Sequence, residues 1–233
     1  MSKQHVLYSV FVIHFKHLNQ QKQTMKKLSL LTLFIFFINI NFTSAQDVIT
    51  LRNASFDWDR PIANAIPGAW MTCGNEHETP PDIHSKNTRH YKVNHQPKHG
   101  RNYIGLVVRS NFTYESIYQY LKQPLLKDKQ YQMEMYVAMS ETFRSSDALT
   151  GKSALFNQPA VIRIWGIGSK CETLELLYES EPINNTEWKK LTMDFAPKIT
   201  HEFFMIEAFY DRMIDDPYNG NVLLDGLSEI IEN

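Results

Sequence analysis

Tyr131-Gln132-Met133-Glu134-Met135-Tyr136-Val137-Ala138-Met139 places a large apolar side chain at every second position. A period of two fits a strand with one face in a core and the other toward water, and it cannot form the stripe of an amphipathic helix. Leu191-Thr-Met193-Asp-Phe195 repeats the alternation, and Pro197 stops it. Working outward, β-branched and aromatic residues fill further strand candidates at 48–51, 103–109, 115–121, 160–167, 174–180, 201–210 and 221–230, with Pro, Gly, Asn or Asp in most gaps. No long stretch after residue 46 carries an apolar stripe at helical spacing. Eight or nine strands of this kind predict an all-β protein, a single antiparallel β-sandwich. In that strand Glu134 is expected to face solvent, between buried Met133 and Met135.

The 233 residues carry a net charge of −1, unevenly spread. Residues 1–45 hold five lysines and no acid, which leaves 19 of the 24 basic residues and all 25 acidic ones to residues 46–233, net −6. A mildly acidic body has no electrostatic footprint for phosphate backbones, so nucleic acid is excluded as a partner class. Lys26-Lys27 precedes an apolar run from Leu28 to Ile40, and Asn41-Phe-Thr-Ser-Ala45 supplies a small residue before a cut. This is the layout of a secretory signal, with Met25 as a natural start and cleavage after Ala45. The run is shorter than the roughly 20 residues of a spanning helix. Residues 1–45 are therefore expected to be an N-terminal extension plus export signal, and 46–233 a β-sandwich domain, periplasmic or extracellular, without a membrane span.

Export changes how the two cysteines read. Cys73 and Cys171 are the whole supply, and an oxidising compartment permits one bridge between them. Two separate buried thiols are the alternative. No further metal-binding residues stand near them at zinc-site spacing.

Two connections are long, 74–102 and 140–159, and loops of that length are where a site is expected. The first holds His77, His84, His90, His95 and His99. Their spacing gives no H-E-x-x-H pair, although Glu76-His77-Glu78 joins metal-ligand types locally. There is no G-x-S-x-G elbow, and Gly151-Lys152-Ser153 lacks the earlier glycine of a phosphate loop, position 146 being Ser. Glu115, Glu134, Glu175 and Glu207 lie in strand candidates, and a small glycosidase or esterase would need two such acids at a defined separation.

Arg52-Asn-Ala-Ser-Phe-Asp57 resembles the opening strand of galactose-binding-like jelly rolls, the fold of many carbohydrate-binding modules. Glu115-Ser-Ile-Tyr-Gln-Tyr-Leu-Lys-Gln-Pro-Leu125 with Lys127-Asp-Lys-Gln-Tyr131 resembles their strand–turn–strand, and Asn221-Val-Leu-Leu-Asp225-Gly-Leu-Ser228 their closing strand. Pro67-Gly-Ala-Trp70-Met-Thr-Cys73-Gly, Thr79-Pro-Pro-Asp82 and Ile162-Arg-Ile-Trp165-Gly166 are similar to segments of secreted proteins from gliding, polymer-degrading Gram-negative bacteria. The resemblance spans nearly all of residues 48–231. It implies jelly-roll topology and a non-catalytic module that recognises a glycan or cell-surface polymer. The alternative is a structural or adhesion module that binds another surface protein. It also implies a structural calcium held by Asp57 and Asp225, although the family usually has Glu at the first position and a second acid where Gly226 stands.

Aromatic faces stack on pyranose rings while Arg, Asn, Gln and Glu bind hydroxyls. On that chemistry the candidate ligand-binding residues are Trp70, Tyr91, Arg109, Glu115, Arg163 and Trp165. Arg109, Glu115 and Arg163 are expected to converge if strands 103–109, 115–121 and 160–167 share a sheet.

Overall fold

The computed structural model describes residues 47–58, 62–74, 80–169 and 171–233. The expected extension and export signal at 1–45 lie outside them, as do Glu76-His77-Glu78. The described residues form a β-sandwich of jelly-roll topology, antiparallel except for one two-residue parallel pairing.

Its first sheet contains β2 (Asp82–Ser85), β3 (Asn102–Val108), β5 (Tyr131–Ala138), β11 (Lys189–Phe195) and β13 (Gly220–Asp225), side by side in the order β11-β5-β13-β3-β2. β14 (Ile230–Glu232) also runs along β5, with β1 (Val48–Ile49) outside it, and β8 (Gln158–Pro159) pairs with β13. The second sheet has the order β10-β9-β12-β4, from β4 (Ser116–Leu125), β9 (Val161–Ile167), β10 (Thr173–Glu179) and β12 (His201–Phe209). A bridge between Met71 and Tyr118 extends it beyond β4. β6 (Arg144–Ser146) and β7 (Ser153–Leu155) make a separate hairpin.

The two clean alternating runs turn out to be partners. Met193 lies opposite Met133 and Phe195 opposite Tyr131, so their apolar faces merge into one wall of the core. Ile104, Leu106 and Val108 continue that wall, and Ile162, Ile164, Phe204 and Ile206 face it from the second sheet. Glu134 points away as expected and pairs with Lys190 at 2.9 Å.

β3 and β13 are buried along their whole length, and a second apolar cluster explains it. Tyr103, Val107 and Leu223 on the outer side of the first sheet are covered by Val93, Phe143 and Phe156 from the two long connections. These connections, expected from the sequence to be loop, also contain strands: β2 in the first, and β6, β7 and β8 in the second. The expected strand at 221–230 divides in two, because Gly226 takes φ 55° and turns the chain.

Cys73 and Cys171 form a disulfide across a sequence separation of 98 residues. Cys73 follows the segment that pairs with β4, while Cys171 lies in the turn between β9 and β10. The bridge therefore links opposite edges of the second sheet.

Candidate functional site

Alternation along β4, β9 and β12 sends half of their side chains away from the core. Register then assembles these into rows across the outer face of the second sheet. One row reads Tyr118, Met205, Trp165, Leu176. The next begins with Tyr120, 45% exposed, opposite Phe203. A polar row follows on the other side: Ser116, Glu207, Arg163, Glu179.

The polar row orients the aromatic one. The Trp165 indole N–H donates to Glu207 Oε1 at 3.1 Å, and Arg163 Nη1 lies 3.7 Å from the same oxygen. Arg163 Nε donates to Glu179 at 2.6 Å, its guanidinium sits 3.4 Å over the Phe209 ring, and Arg212 shares Glu179 at 2.8 Å. Burial pushes the Glu207 carboxyl above its ordinary range, opposed by the Trp165 hydrogen bond and the Arg163 charge. With its indole N–H held and its register fixed, Trp165 has little rotamer freedom to lose on contact with a ligand.

Beside Tyr118 and Met71 the face runs into an open groove of about 500 Å³ that Trp58 also lines. Trp58, 40% exposed, packs so closely on Gly68 that a β-carbon there would come within 2.4 Å of the ring.

Among the six candidate binding residues, Arg163 and Trp165 stand together on this face. Tyr91, Arg109 and Glu115 come together elsewhere, around a cavity of about 280 Å³ beside β2 and the outer side of β3. The expected convergence of Arg163 with Arg109 and Glu115 does not occur, because β3 belongs to the first sheet and β9 to the second. Trp70 is buried in the core, its indole N–H bonded to the Asn53 carbonyl at 3.1 Å, with Phe56 beside it at 5.5 Å. Sequence reasoning missed Trp58, Tyr118 and Tyr120 and treated Glu207 only as a possible catalytic acid. The signal for Tyr118 and Tyr120 was present, since in Ser116-Ile117-Tyr118-Gln119-Tyr120-Leu121 the tyrosines alternate with core residues Ile117 and Leu121.

Asp57 and Asp225 are drawn to one loop, as the calcium expectation requires, but the groups facing them are donors. Asp57 Oδ1 accepts the backbone N–H groups of Arg101 and Asn102 at 2.6 and 3.2 Å. Asp225 Oδ2 accepts those of Lys98 and His99 at 2.6 and 2.8 Å, and its Oδ1 that of Gly226 at 2.6 Å. Calcium takes oxygen lone pairs turned toward it, and this donor set does not fit it. Among the described residues no group of three or more His, Cys, Asp or Glu is arranged to hold a metal. His84 is buried under the long loop and stacked on Tyr103 at 5.2 Å, where burial lowers its pKa to about 3.

No family model matches this sequence, and no curated protein matches it. Solved structures do match. An arabinose-bound α-L-arabinofuranosidase aligns at 11% identity with a TM-score of 0.51, over 83% of this chain and 28% of that one. The chain therefore spans little more than a quarter of that enzyme, and the likeness shows a shared fold. The xylan-binding domain CBM22-1 of Paenibacillus barcinonensis Xyn10C aligns at 13% identity and TM-score 0.46, over 81% of this chain and 96% of that one. The K1 adhesin domain of Lys-gingipain from Porphyromonas gingivalis W83 aligns at 13% identity and TM-score 0.43, over 75% and 96%.

Proposed function

We propose that this protein is an exported, non-catalytic module that binds a glycan or cell-surface polymer along the outer face of its second sheet. The observation that carries the reading is Trp165, half-buried between Met205 and Leu176 with its indole N–H on Glu207 and Arg163 beside it. Such a surface presents an aromatic plane, fixed from beneath by the buried Glu207 and Arg163, for the apolar face of a sugar, with the more exposed Glu179 and Arg212 at its border for hydroxyls. Tyr118, Tyr120 and Trp58 lengthen the apolar track toward the groove, which suits a chain of rings better than one ring. The Cys73–Cys171 bridge supports an oxidising, extracytoplasmic setting. Among the described residues no helix is long and apolar enough to cross a membrane.

The purified protein is expected to bind one or more polysaccharides saturably, and Trp165→Ala to weaken that binding about tenfold, the scale of one lost aromatic contact. Titration calorimetry against a polysaccharide panel measures this. Full affinity in both Trp165→Ala and Tyr118→Ala would remove the site from this face.

A second reading rests on β10, the outermost strand of this sheet, which exposes Leu174 at 45% and Leu176 at 37%. A free edge with apolar side chains suits the addition of a strand from a surface protein. It becomes the stronger reading if no polysaccharide binds.

We further infer that Asp57 and Asp225 clamp the 98–102 loop through its backbone, without calcium. Added calcium and added chelator are both expected to leave the melting temperature and polysaccharide affinity unchanged. A calcium-dependent rise that Asp225→Asn abolishes would reverse this assignment.

A further inference from the structure

The cavity around Arg109 lies beside the outer side of the first sheet, across the sandwich from the aromatic face. Its floor is charged. Glu115 accepts the backbone N–H of Val107 at 3.0 Å and pairs with Arg109 through Nη2. Asp82 stands beside them, buried, with Oδ1 accepting the Asn64 N–H at 2.9 Å. Arg109 Nη1 is buried and has no hydrogen-bond partner. An unpaired buried donor carries a desolvation cost that a ligand acceptor relieves.

One wall is aromatic and deliberately placed. Tyr91 lies flat on Phe143, ring centres 5.2 Å apart and planes 8° off parallel. Two consecutive residues without glycine's freedom, Tyr91 and Lys92, take φ 50° and 64° to put it there. The Lys92 carbonyl is held by the Thr142 hydroxyl at 2.9 Å, which fixes Tyr91 over the second long connection. Ser145 and Ser146 complete the rim with hydroxyls. Strained backbone held by neighbouring bonds marks a surface whose shape is needed.

From this arrangement we propose that the cavity is a second binding site, which takes a single sugar ring by a vicinal diol. One ring hydroxyl accepts from Arg109 Nη1 and its neighbour meets the Asp82 carboxyl, with the ring edge against Tyr91. The occupant must offer an acceptor and a donor on adjacent atoms, which a diol does. An anion is disfavoured, because Glu115 already neutralises Arg109 and Asp82 adds a further acid. An ammonium cannot accept from Nη1. The volume of about 280 Å³ lies at the lower limit of the ~300–1,000 Å³ of small-molecule pockets, so it holds one ring rather than a chain. Burial raises the Asp82 pKa to about 7, so the carboxylate that accepts the ring hydroxyl gains weight as pH rises past neutrality. The site is independent of the polymer face and stands or falls separately from it.

The test is amide NMR with methyl glycosides of the galacto, gluco, manno and xylo series as probes, alongside matching disaccharides. At least one glycoside is expected to shift the amides of Val107, Asn111, Ser145 and Ser146. Its derivatives that lack one hydroxyl of the recognised pair should fail to do so. Asp82→Asn, which keeps the acceptor for the Asn64 N–H, should weaken the response at least tenfold while polysaccharide affinity stays at the wild-type value. Equal shifts from disaccharide and methyl glycoside assign a glycan terminus; shifts from the methyl glycoside alone assign a free monosaccharide. No shift from any probe, or shifts undiminished by deoxygenation or by Asp82→Asn, would overturn the proposal. A lost polysaccharide response in Trp165→Ala with these shifts intact would separate the two sites.

Discussion

Cys73→Ser is expected to lower the melting temperature by roughly 10–20 °C. A bridge that closes a loop of 98 residues constrains the unfolded chain by about 4–5 kcal/mol in the loop-entropy account. For a domain of this size each kcal/mol corresponds to roughly 2–4 °C. The effect should also reach the aromatic face. The bridge ties the segment beside β4 to the β9–β10 turn, and Trp165 and Leu176 lie on the two strands that this turn joins. Without the link, β10 keeps its pairing with β9 and its side-chain bonds through Glu175 and Glu179. It loses its covalent tie to the segment beside β4, and polysaccharide affinity should fall along with stability. Thermal melts of wild type with and without reductant, beside Cys73→Ser and Cys171→Ser, measure both parts. The three reduced forms should melt together. If reduction costs no more than an ordinary surface substitution, the bridge does not hold the sheet edges together.

What the sequence made legible follows from how physical signals are written into a chain. Period two is local, so Met133, Met135, Met193 and Phe195 declared their faces without any knowledge of partners, and the sandwich followed. Cysteine pairing was legible because only two cysteines exist. Convergence of side chains was not. Arg109 and Arg163 sit in similar strand patterns, and only the sheet order, set by pairings such as β3 with β13 and β9 with β12, sends them to different sheets. The orphaned Nη1 of Arg109 depends on the three-dimensional position of Glu115 and Asp82, which no spacing rule encodes. Trp70 and Trp165 posed the same problem in reverse. Both are tryptophans at the end of short apolar runs, yet one donates its N–H to a core backbone carbonyl and the other to Glu207 on an outer face.

β2, β6 and β7 were hidden for a different reason. Asp82-Ile83-His84-Ser85 has little β-propensity, and it forms a strand because Ile83 and His84 pair with Ile104 and Tyr103 along the edge of β3. Here tertiary pairing overrides local preference. The result gives the first sheet a cover of loops on its outer side and makes room for a cavity whose floor is Asp82. Among the described residues these loops put no such cover on the second sheet, whose outer face leaves Tyr120 at 45% and Leu176 at 37% exposed. The two sites therefore share one cause, the unequal distribution of long connections over the two faces.

That cover also leaves a titration signature. Stability should be greatest near pH 4–5 and fall toward pH 8, an acidic optimum for a protein of mixed composition. Burial raises the pKa of Asp82 to about 7 and that of Asp225 to about 7. Each of these acids has a folded pKa above its unfolded one, so the folded state holds the extra proton. Its stabilising contribution is complete below about pH 4 and is lost as pH rises through 7. A shift of that size is on the order of 4 kcal/mol for each aspartate. His84 acts in the opposite sense. Burial lowers its pKa to about 3, so its contribution is present above 6.5 and lost as pH falls toward 3. Between pH 4 and 6.5 the acids outnumber the histidine, and stability should climb as pH falls. Below pH 4 the trend reverses, because His84 is joined by Asp147, held below the ordinary carboxyl range by hydrogen bonds from Ser110, Asn219 and Thr150, and by Glu175, also lowered. Urea midpoints at about pH 4.5, 6 and 8 measure the slope. Asp82→Asn should match wild type at the acidic end and exceed it at pH 8, because it deletes a buried group that must ionise there. A wild-type midpoint that rises steadily from pH 4.5 to 8, or a variant with an unaltered slope, would show that Asp82 is ionised in the fold at little cost, and that a cation or solvent reaches it.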